Sequence, residues 1–258
     1  MKEIWQKLIL SIKGPRVLTI IGGGGKTSLM YYLLGLVKSK GLLGVGTTTT
    51  KLASEQRSGH VFATIDSVVA GYECIKEGAT LQDVITLVRG EDSRNQGKML
   101  GIPKVWVDEL AVLCNEVLFL VEGDGAAGKS LKGHLGHEPV VPRNSHLVVV
   151  VVGIDSMGVP INALNVHRPE RICELTGAKL ESLVTTDLIT QLLFHPQGYL
   201  HDCCPTSQIV FYINKVESIM EHHQGKRLAA EILATKHPQV IGVVLGSLKT
   251  GEGLWLQA

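Results

Sequence analysis

Six short apolar runs recur along the chain, and most are rich in valine and isoleucine. They are nearly continuous rather than alternating, which is typical of strands buried on both faces of a parallel sheet. We therefore expect each run to form one strand. The predicted strands are 17–21, 42–48, 117–123, 147–154, 208–214 and 240–246.

Segments with apolar residues at helical spacing lie between these strands. The first ends with lysines before Gly41 and the second begins with Pro169, and both are typical helix-end signals. The last is long and amphipathic, with a candidate break at Gly225. The predicted helices span 26–41, 168–177, 185–196 and 217–238. This alternation predicts a doubly wound α/β fold, a mainly parallel sheet with helices on both faces.

The chain shows no repeats, no low-complexity linker and no clear domain boundary, so we expect residues 1–258 to form a single domain. One segment differs from the rest. Residues 124–146 contain Gly, Pro and His with few apolar anchors, and they lie between two predicted strands. Because long ordered connections are uncommon without a reason, this segment is predicted to be a long functional loop or a small subdomain.

A glycine-rich turn joins the first predicted strand to the first predicted helix. Glycines let the backbone fold tightly enough for several N–H groups to converge on a phosphate. Lys26 would contact the β- and γ-phosphates, and Thr27 would bind Mg²⁺. These features predict a P-loop NTPase-like domain. Its candidate phosphate-binding residues are Gly22, Gly23, Gly24, Gly25, Lys26, Thr27 and Ser28.

The turn departs from the strict phosphate-loop pattern at its first position, where Ile20 replaces glycine. A dinucleotide-binding turn would need a third glycine where Thr27 or Ser28 stands, and an acid after the second strand, which ends in threonines instead. NAD or FAD binding is therefore disfavoured. The remaining alternative is a glycine-rich strand–helix turn with an incidental lysine.

Two acidic residues lie at the tip of the third predicted strand. Glu122 and Asp124 are spaced by two, so they lie on the same side of an extended chain. P-loop enzymes usually carry a carboxylate at the tip of a neighbouring strand, where it holds Mg²⁺ or its water shell. We expect Asp124 to bind Mg²⁺ and Glu122 to orient water or support the metal. A solvated loop with two acids is the alternative.

Four threonines, residues 47–50, end the second predicted strand. Ligands bind at the carboxyl ends of strands in doubly wound sheets. Thr49 is accordingly a candidate contact for Mg²⁺ or the γ-phosphate. Simple β-propensity explains the same threonines equally well.

Two loops after later strands resemble the base-binding motifs of GTP-binding proteins. The run 212–217 resembles N-K-x-D with Glu217 in place of aspartate, and 246–249 loosely resembles the serine–alanine–lysine loop. The carboxylate would accept two hydrogen bonds from guanine, Asn214 would help to fix the loop, and Lys215 would lie over the base. A helix start with an asparagine cap is the alternative. The motif raises GTP a little above ATP and leaves the choice open.

Composition limits the partners of the chain. The formal net charge is +1, which gives no electrostatic case for binding nucleic acid or a membrane surface. The run 147–154 is far below the ~20 apolar residues that span a bilayer. Five cysteines without a C-x-x-C pair fit a reduced compartment, and the first residues lack a signal-peptide pattern. We expect a cytoplasmic protein.

The chain resembles a known family in an ordered set of motifs. These are GGGGKTS, TTTTK, VEGDGA, LKGHLGHEPVVP, NVHRPE and INKVE. The family is that of the selenium-dependent hydroxylase accessory proteins, also called YqeC-like, and the resemblance covers nearly the whole chain from about Val17. It implies a bacterial P-loop protein linked to maturation of selenium-containing molybdenum hydroxylases, with such an enzyme or its maturation factors as protein partner. Family members have E-A-D-G where Gly123 stands here, and both acids are kept.

The resemblance also points to residues in the 124–146 segment and beyond it. Lys132, Glu138 and Pro139 fall in the family's L-K-x-P…H-E-P-x-x-P stretch, and His167 and Arg168 fall in its H-R-P-E stretch. Lys132 would neutralise phosphate or an anionic substrate such as a selenophosphate or molybdopterin group. Arg168 would act as an internal arginine finger on the γ-phosphate. A surface arginine before a helix is the alternative.

Histidines and cysteines offer two further candidates. His134 and His137 precede Glu138, but the order H-x-x-H-E is not the zincin order and no helix is predicted there. We therefore do not expect these two histidines and Glu138 to form a dedicated metal site. Cys203 and Cys204 would be able to carry selenium, although adjacent cysteines in an ordinary loop are the simpler explanation.

The sequence thus predicts a Mg²⁺-dependent nucleoside triphosphatase that uses GTP or ATP and acts as an accessory factor. Its candidate catalytic residues are Lys26, Glu122, Asp124 and Arg168. The candidate base-binding residues are Asn214, Lys215 and Glu217. A nucleotide-binding scaffold or chaperone without hydrolysis and a small-molecule kinase are the alternatives, because all three need the same phosphate cradle.

Overall fold

The computed structural model describes residues 1–12, 14–53, 61–81 and 84–258. The strands are β1 Val17–Gly22, β2 Gly44–Thr48, β3 Lys51–Ala53, β4 Val61–Thr64, β5 Ile85–Val88, β6 Gly90–Glu91, β7 Lys98–Leu100, β8 Leu118–Glu122, β9 Ser145–Gly153, β10 Gln208–Asn214, β11 Val240–Gly246 and β12 Gly253–Gln257. The helices are α1 Lys2–Ser11, α2 Lys26–Ser39, α3 Val68–Leu81, α4 Lys104–Leu113, α5 Pro169–Thr176, α6 Thr186–Phe194 and α7 Ile219–Ala234.

Nine strands form one sheet in the order β12-β11-β10-β9-β1-β8-β2-β5-β4. Neighbouring strands are parallel except for β12, which pairs antiparallel with β11 at one edge. Strand β1 lies between β8 and β9, and Ile20 is in register with Glu122. The carboxyl ends of these strands therefore meet at one edge of the sheet, where ligands bind in open α/β folds.

Helices cover both faces of this sheet, as predicted. In β1, Leu18 and Ile20 pack with the apolar residues of α1 and α2, whereas Ile21 packs with those of α5, α6 and α7. Val17, which lies on the Ile21 face, belongs to a third cluster with α3 and α4. Side chains on both faces of β1 are buried, which explains its continuous apolar sequence. The predicted α/β architecture is confirmed.

All six predicted strands are present, and several other elements were not predicted. The unpredicted elements are α1, α3, α4, β4, β5, β12 and a small antiparallel sheet of β3, β7 and β6. Strands β4 and β5 have four residues each, and apolar runs of that length do not distinguish strand from helix. No helix in the described part of the chain has the length and apolar character needed to cross a membrane.

The predicted break at Gly225 is wrong, because α7 runs without interruption from Ile219 to Ala234. Ser218 and Glu221 form a capping box at its start. A Cβ atom at position 225 would lie 2.3 Å from Cδ1 of Leu245. The glycine therefore permits close packing of α7 against β11 and does not interrupt the helix.

The segment 124–146 leads from β8 into β9, whose first residues are Ser145 and His146, and residues 124–144 form no regular helix or strand. Many of its residues are nevertheless buried, including the polar side chains Asp124, Lys132 and His134. Connecting loops normally run over the surface, because a buried loop must satisfy its own polar groups. The loop therefore folds into the molecule above the carboxyl end of β1, beside the glycine-rich turn.

Candidate functional site

The glycine-rich turn lies between the end of β1 at Gly22 and the start of α2 at Lys26. Gly22, Gly24 and Gly25 have φ angles of 101°, 82° and 122°, which favour glycine. A Cβ atom at Gly22 would lie 2.2 Å from the Val151 carbonyl oxygen, and one at Gly23 would lie 2.5 Å from that of Lys129. Both the backbone angles and the close contacts therefore require these glycines.

Lys26 is buried at the base of this turn. Its Nζ donates to the Gly22 carbonyl at 2.7 Å and lies 3.3 Å from Asp124 Oδ1 and 3.8 Å from Glu122 Oε1. Burial lowers the pKa of Lys26, but the charges of Asp124 and Glu122 outweigh burial and raise it above its ordinary value. Lys26 is therefore a cation held in place by the two predicted acids.

Asp124 is fully buried and its two oxygens are already bound to protein donors. The Gly22 N–H donates to both, at 3.1 and 3.0 Å, and His134 Nε2 contacts Oδ2. Lys132 Nζ lies 3.3 Å from Oδ2. Burial raises the pKa of Asp124, but Lys26 and Lys132 more than compensate and hold it well below its usual range. Asp124 is thus an ionised anchor beneath the glycine turn.

Glu122 and Thr27 meet where β8 ends and α2 begins. The Thr27 hydroxyl donates to Glu122 Oε2 at 2.6 Å. Burial raises the pKa of Glu122, although Lys26 and the Thr27 hydrogen bond oppose this effect. Of the residues predicted to bind Mg²⁺, the structure therefore places Thr27 against Glu122 and not against Asp124.

A cavity of about 590 Å³ opens above Thr27 and Glu122. Five lysines line it, together with part of the glycine turn and the first residues of the 124–146 segment. The lining residues are Gly24, Gly25, Lys26, Thr27, Ser28, Lys51, Lys98, Glu122, Gly125, Ala126, Ala127, Gly128, Lys129 and Lys215. The start of a helix and several cations on one cavity favour an anionic ligand with more than one charge.

The threonines at the carboxyl end of β2 connect it to neighbouring segments. Thr48 Oγ1 donates to the Glu122 carbonyl at 2.9 Å, and Thr47 Oγ1 donates to the Leu87 carbonyl at 2.8 Å. Thr49 Oγ1 donates to the Val140 carbonyl at 2.7 Å. Thr49 is not one of the described residues that line the cavity. These hydroxyls bind β2 and the residue after it to β5, to β8 and to the 124–146 loop, respectively.

A second cavity, of about 360 Å³, lies beside the first and shares Gly24, Gly25, Ser28 and Lys215 with it. Its other lining residues are Asn214, Glu217, Ser247, Leu248 and Lys249. The two loops predicted to resemble base-binding motifs therefore come together here. Their contact is direct, because Ser247 Oγ donates to Glu217 Oε1 at 3.0 Å and Lys249 Nζ donates to Oε2 at 2.8 Å.

Asn214 connects this second cavity to the glycine turn. Its Nδ2 donates to the Gly24 carbonyl at 2.8 Å, and Tyr212 donates its hydroxyl hydrogen to Asn214 Oδ1 at 2.6 Å. Asn214 does not cap α7, since Ser218 does. Lys215 has φ of 66°, and its Nζ contacts Ser130 Oγ at 2.8 Å and Asp155 Oδ2 at 2.7 Å.

Lys132 lies inside the protein and not on the cavity. Its Nζ donates to the Gly125 carbonyl at 2.6 Å and to Glu138 Oε2 at 3.0 Å. Arg168 binds both oxygens of Glu138, with Nη2 donating to Oε1 at 3.2 Å. Arg168 is not one of the described residues that line the larger cavity. A buried chain of alternating charges thus extends from Lys26 through Asp124, Lys132 and Glu138 to Arg168. The role of Arg168 as an arginine finger stays a prediction.

The contacts of Glu138 with Lys132 and Arg168 predict how the stability of the fold depends on pH in acid. Burial raises the pKa of Glu138, but Arg168 and Lys132 outweigh it and lower the pKa to about 2 from 4.5. A carboxyl whose pKa is lower in the folded state stabilises the fold at pH values above its pKa in the unfolded state. This contribution is lost as the pH falls towards its pKa in the folded state. The lowered pKa of Glu138 corresponds to roughly 3 kcal/mol of stability, which is lost as the pH falls from 4.5 to about 2.

We therefore expect Arg168→Gln to raise the pKa of Glu138 and to destabilise the protein at pH 6 more than at pH 3. Urea unfolding of both proteins at the two pH values measures this difference. Arg171→Gln is the matched control on α5, because Arg171 contacts Glu174 and backbone oxygen instead of Glu138. An Arg168→Gln loss that is equal at both pH values would contradict the assignment.

The histidine and cysteine candidates lie in different surroundings. Desolvation by burial lowers the pKa of His134, whose ring packs edge-on against Tyr199, and no partner within the described residues reaches its Nδ1. His137 is exposed. Burial raises the pKa of Cys203 to about 12, while contacts with Thr206 lower that of Cys204. The described residues contain no group of three or more His, Cys, Asp or Glu placed to hold a metal ion.

Several site residues were missed at the sequence level. Ser130 and Asp155 hold Lys215, Tyr212 holds Asn214, and the hydroxyl of Tyr199 accepts a hydrogen bond from the Lys132 N–H at 3.1 Å. Tyr212 has a detectable signal, because residues two apart on a strand point to the same face. The other contacts join residues distant in sequence and leave no local pattern.

Comparisons with known proteins identify the family. The model of the YqeC protein family matches residues 18–170, which is more than half of the chain. The uncharacterized protein YqeC of Escherichia coli (strain K12) is 29% identical over 203 residues, covering 79% of this chain and 77% of that protein. No solved structure matches the chain. The matched region runs from β1 to the start of α5 and includes the glycine turn, Glu122 and the 124–146 loop, so this chain belongs to the YqeC family.

Proposed function

We propose that the protein is a Mg²⁺-dependent nucleoside triphosphatase whose phosphate-binding site is the larger cavity. The observation that carries the proposal is the hydrogen bond between Thr27 and Glu122 at the base of a lysine-lined cavity. A hydroxyl and a carboxylate at the start of a helix, next to a buried lysine, form the donor set that a metal–triphosphate complex needs. The glycine turn adds backbone N–H groups at the same point.

The donor set fits Mg²⁺, which prefers oxygen ligands. Thr27 and Glu122 would hold the ion, and Glu122 replaces Asp124 as the proposed ligand because the oxygens of Asp124 are buried and already bonded. Bound Mg²⁺ would neutralise charge that develops on the phosphates during transfer. Lys26 would donate to the outer phosphates, and Asp124 would keep its ammonium group and the Gly22 amide in position.

Phosphate release from ATP and GTP, with and without Mg²⁺, tests this proposal. We expect Glu122→Gln to lower the rate by about 100-fold or more, since the neutral amide neither binds the cation well nor orients a water molecule. Nucleotide binding should persist, because Lys26 and the glycine turn remain. Glu116→Gln, an exposed residue just before β8, is the matched control and should behave as the parent protein.

The outcome also separates the alternatives. Binding without any Mg²⁺-dependent turnover would replace the triphosphatase with a nucleotide-binding scaffold. Turnover that rises sharply only when a small acceptor is added would indicate a kinase. Turnover that is unchanged in Glu122→Gln would remove the assigned role of Glu122.

For the cellular role, we propose that the protein acts as an accessory factor in the maturation of selenium-dependent molybdenum hydroxylases. Support comes from the ordered motifs shared with that family, and the client would be such a hydroxylase or its maturation factor. The test is hydroxylase activity in cells that lack the protein and are complemented with the parent or with Glu122→Gln. Equal activity without any complementation would exclude this role.

A further inference from the structure

The two cavities divide the proposed nucleotide site into two chemically different parts. Five lysines line the larger one. The smaller one has two, Lys215 and Lys249, together with a carboxylate, an amide, serine hydroxyls and the apolar side chain of Leu248. Both are bounded by Gly24, Gly25 and Ser28 at the glycine turn. A ligand with its phosphates in the larger cavity can therefore extend its remaining part into the smaller one.

We propose that the smaller cavity binds the nucleotide base and selects guanine over adenine through Glu217. This inference rests on the proposed function, because it places the base relative to phosphates in the larger cavity. The volume of about 360 Å³ accommodates a purine base, and Leu248 and the stem of Lys215 offer apolar surface to its ring.

The carboxylate of Glu217 distinguishes the two purines by hydrogen bonding. A carboxylate has about four lone-pair positions, and in Glu217 one on each oxygen is taken by Ser247 or Lys249. Each oxygen can still accept one further hydrogen bond. Guanine presents two adjacent donors, N1–H and the N2 amino group, whereas adenine presents an acceptor at N1. A carboxylate oxygen that faces another acceptor across a ligand contact gives up its bond to water without gaining a hydrogen bond, which is costly.

The carboxylate is held in place before a base arrives. Ser247 and Lys249 fix its two oxygens, and Lys249 with Ser247 lowers the pKa of Glu217, so the group is ionised at neutral pH. Its backbone is also fixed, because Glu221 Oε2 accepts from the N–H groups of Glu217 and Ser218 at 2.8 and 2.7 Å. A preorganised acceptor loses little entropy on binding, which favours selectivity.

Two donors in the smaller cavity are suited to the O6 carbonyl oxygen of guanine, which lies next to N1. The Asn214 amide uses one hydrogen on the Gly24 carbonyl and keeps a second, and the Lys249 ammonium keeps two after its contact with Glu217. Either group matches the O6 acceptor of guanine. Adenine carries an amino group at that position, which would face these donors. The polar groups of the cavity therefore match guanine on both sides.

The first test is calorimetric titration of the parent protein with GDP, IDP and ADP in the presence of Mg²⁺. We expect GDP to bind about 10- to 100-fold more tightly than ADP, since one bidentate contact is gained or lost. IDP, which lacks only the N2 amino group, should fall between them. Equal affinities for GDP and ADP would overturn the guanine assignment while leaving the nucleotide site intact. Absence of binding by all three would overturn the proposed function as well.

The second test exchanges the specificity. Glu217→Gln replaces one acceptor with a donor, so GDP should bind about 10- to 100-fold more weakly, and XDP, which has an oxygen in place of the N2 amine, should bind more tightly than to the parent. Glu252→Gln removes a similar exposed charge from the neighbouring loop and should leave both affinities unchanged. Parallel losses of GDP and XDP binding in Glu217→Gln would overturn the role of Glu217 in reading the base.

Discussion

We expect Lys26→Ala to weaken binding of the Mg²⁺–nucleotide complex by about 100-fold or more. The ammonium group lies at the base of the cavity, 2.7 Å from the Gly22 carbonyl, and would donate to the outer phosphates. Two hydrogen bonds to charged groups, each contributing about 1.5 kcal/mol, account for this loss. Calorimetry or a thermal-shift titration with GDP and ADP measures it.

The fold should survive this substitution. Without Lys26, Asp124 still has Lys132, His134 and the Gly22 amide as partners, and Glu122 can take up a proton because its pKa is already raised. Lys38→Ala, an exposed position on the same helix, is the matched control. If the Lys26→Ala protein is folded and binds nucleotide as tightly as the parent, the phosphate-loop assignment is wrong.

Replacing the buried acid has its largest effect on stability. We expect Asp124→Asn to lower the free energy of unfolding by about 3–5 kcal/mol at neutral pH, because Lys26 and Lys132 would lose the charge that compensates them. The amide NH₂ group is also a donor, placed where the carboxylate accepted from Gly22, Lys132 and His134. Urea unfolding followed by circular dichroism gives the difference directly.

The control for this variant is Asp66→Asn, an exposed acid before α3, which should change stability by no more than about 0.5 kcal/mol. A variant at position 124 that unfolds at the same urea concentration as this control would show that the buried cations do not depend on Asp124. In that case the residue would be available for the metal-binding role predicted from the sequence.

The sequence was sufficient for those parts of the site that are local. Gly22–Gly25 form the junction between a strand and a helix as predicted. Both the glycine spacing and the change of periodicity are visible in a window of about ten residues. The strict phosphate-loop pattern requires a glycine where this chain has Ile20. Ile20 lies inside β1 and not in the turn, so a glycine is not needed for the turn at that position. The contact between Glu217 and Ser247 was also indicated by the sequence, because both residues lie in runs that resemble the two base-binding motifs and occur in the same order along the chain.

The sequence was insufficient where function depends on distant contacts. Nothing local distinguishes Glu122 from Asp124, yet Glu122 lines a cavity and Asp124 is fully buried. Four donor groups surround the Asp124 carboxylate: the Gly22 N–H, Lys26, Lys132 and His134. Thr49 likewise depends on the position of Val140, 91 residues away. The strands between β2 and β8 are short, and their pairing decides their structure more than their composition does.

The buried polar character of the 124–146 loop has a consequence for protein engineering. Irregular segments are usually chosen for labels, insertions and sequence shuffling because their residues vary freely. Here the irregular segment behaves as part of the interior, since Asp124, Lys132 and Glu138 can be exchanged only together with their partners. A fluorescent label or reporter insertion therefore belongs in the exposed turn 179–182 between α5 and α6, whose residues line neither of the two cavities.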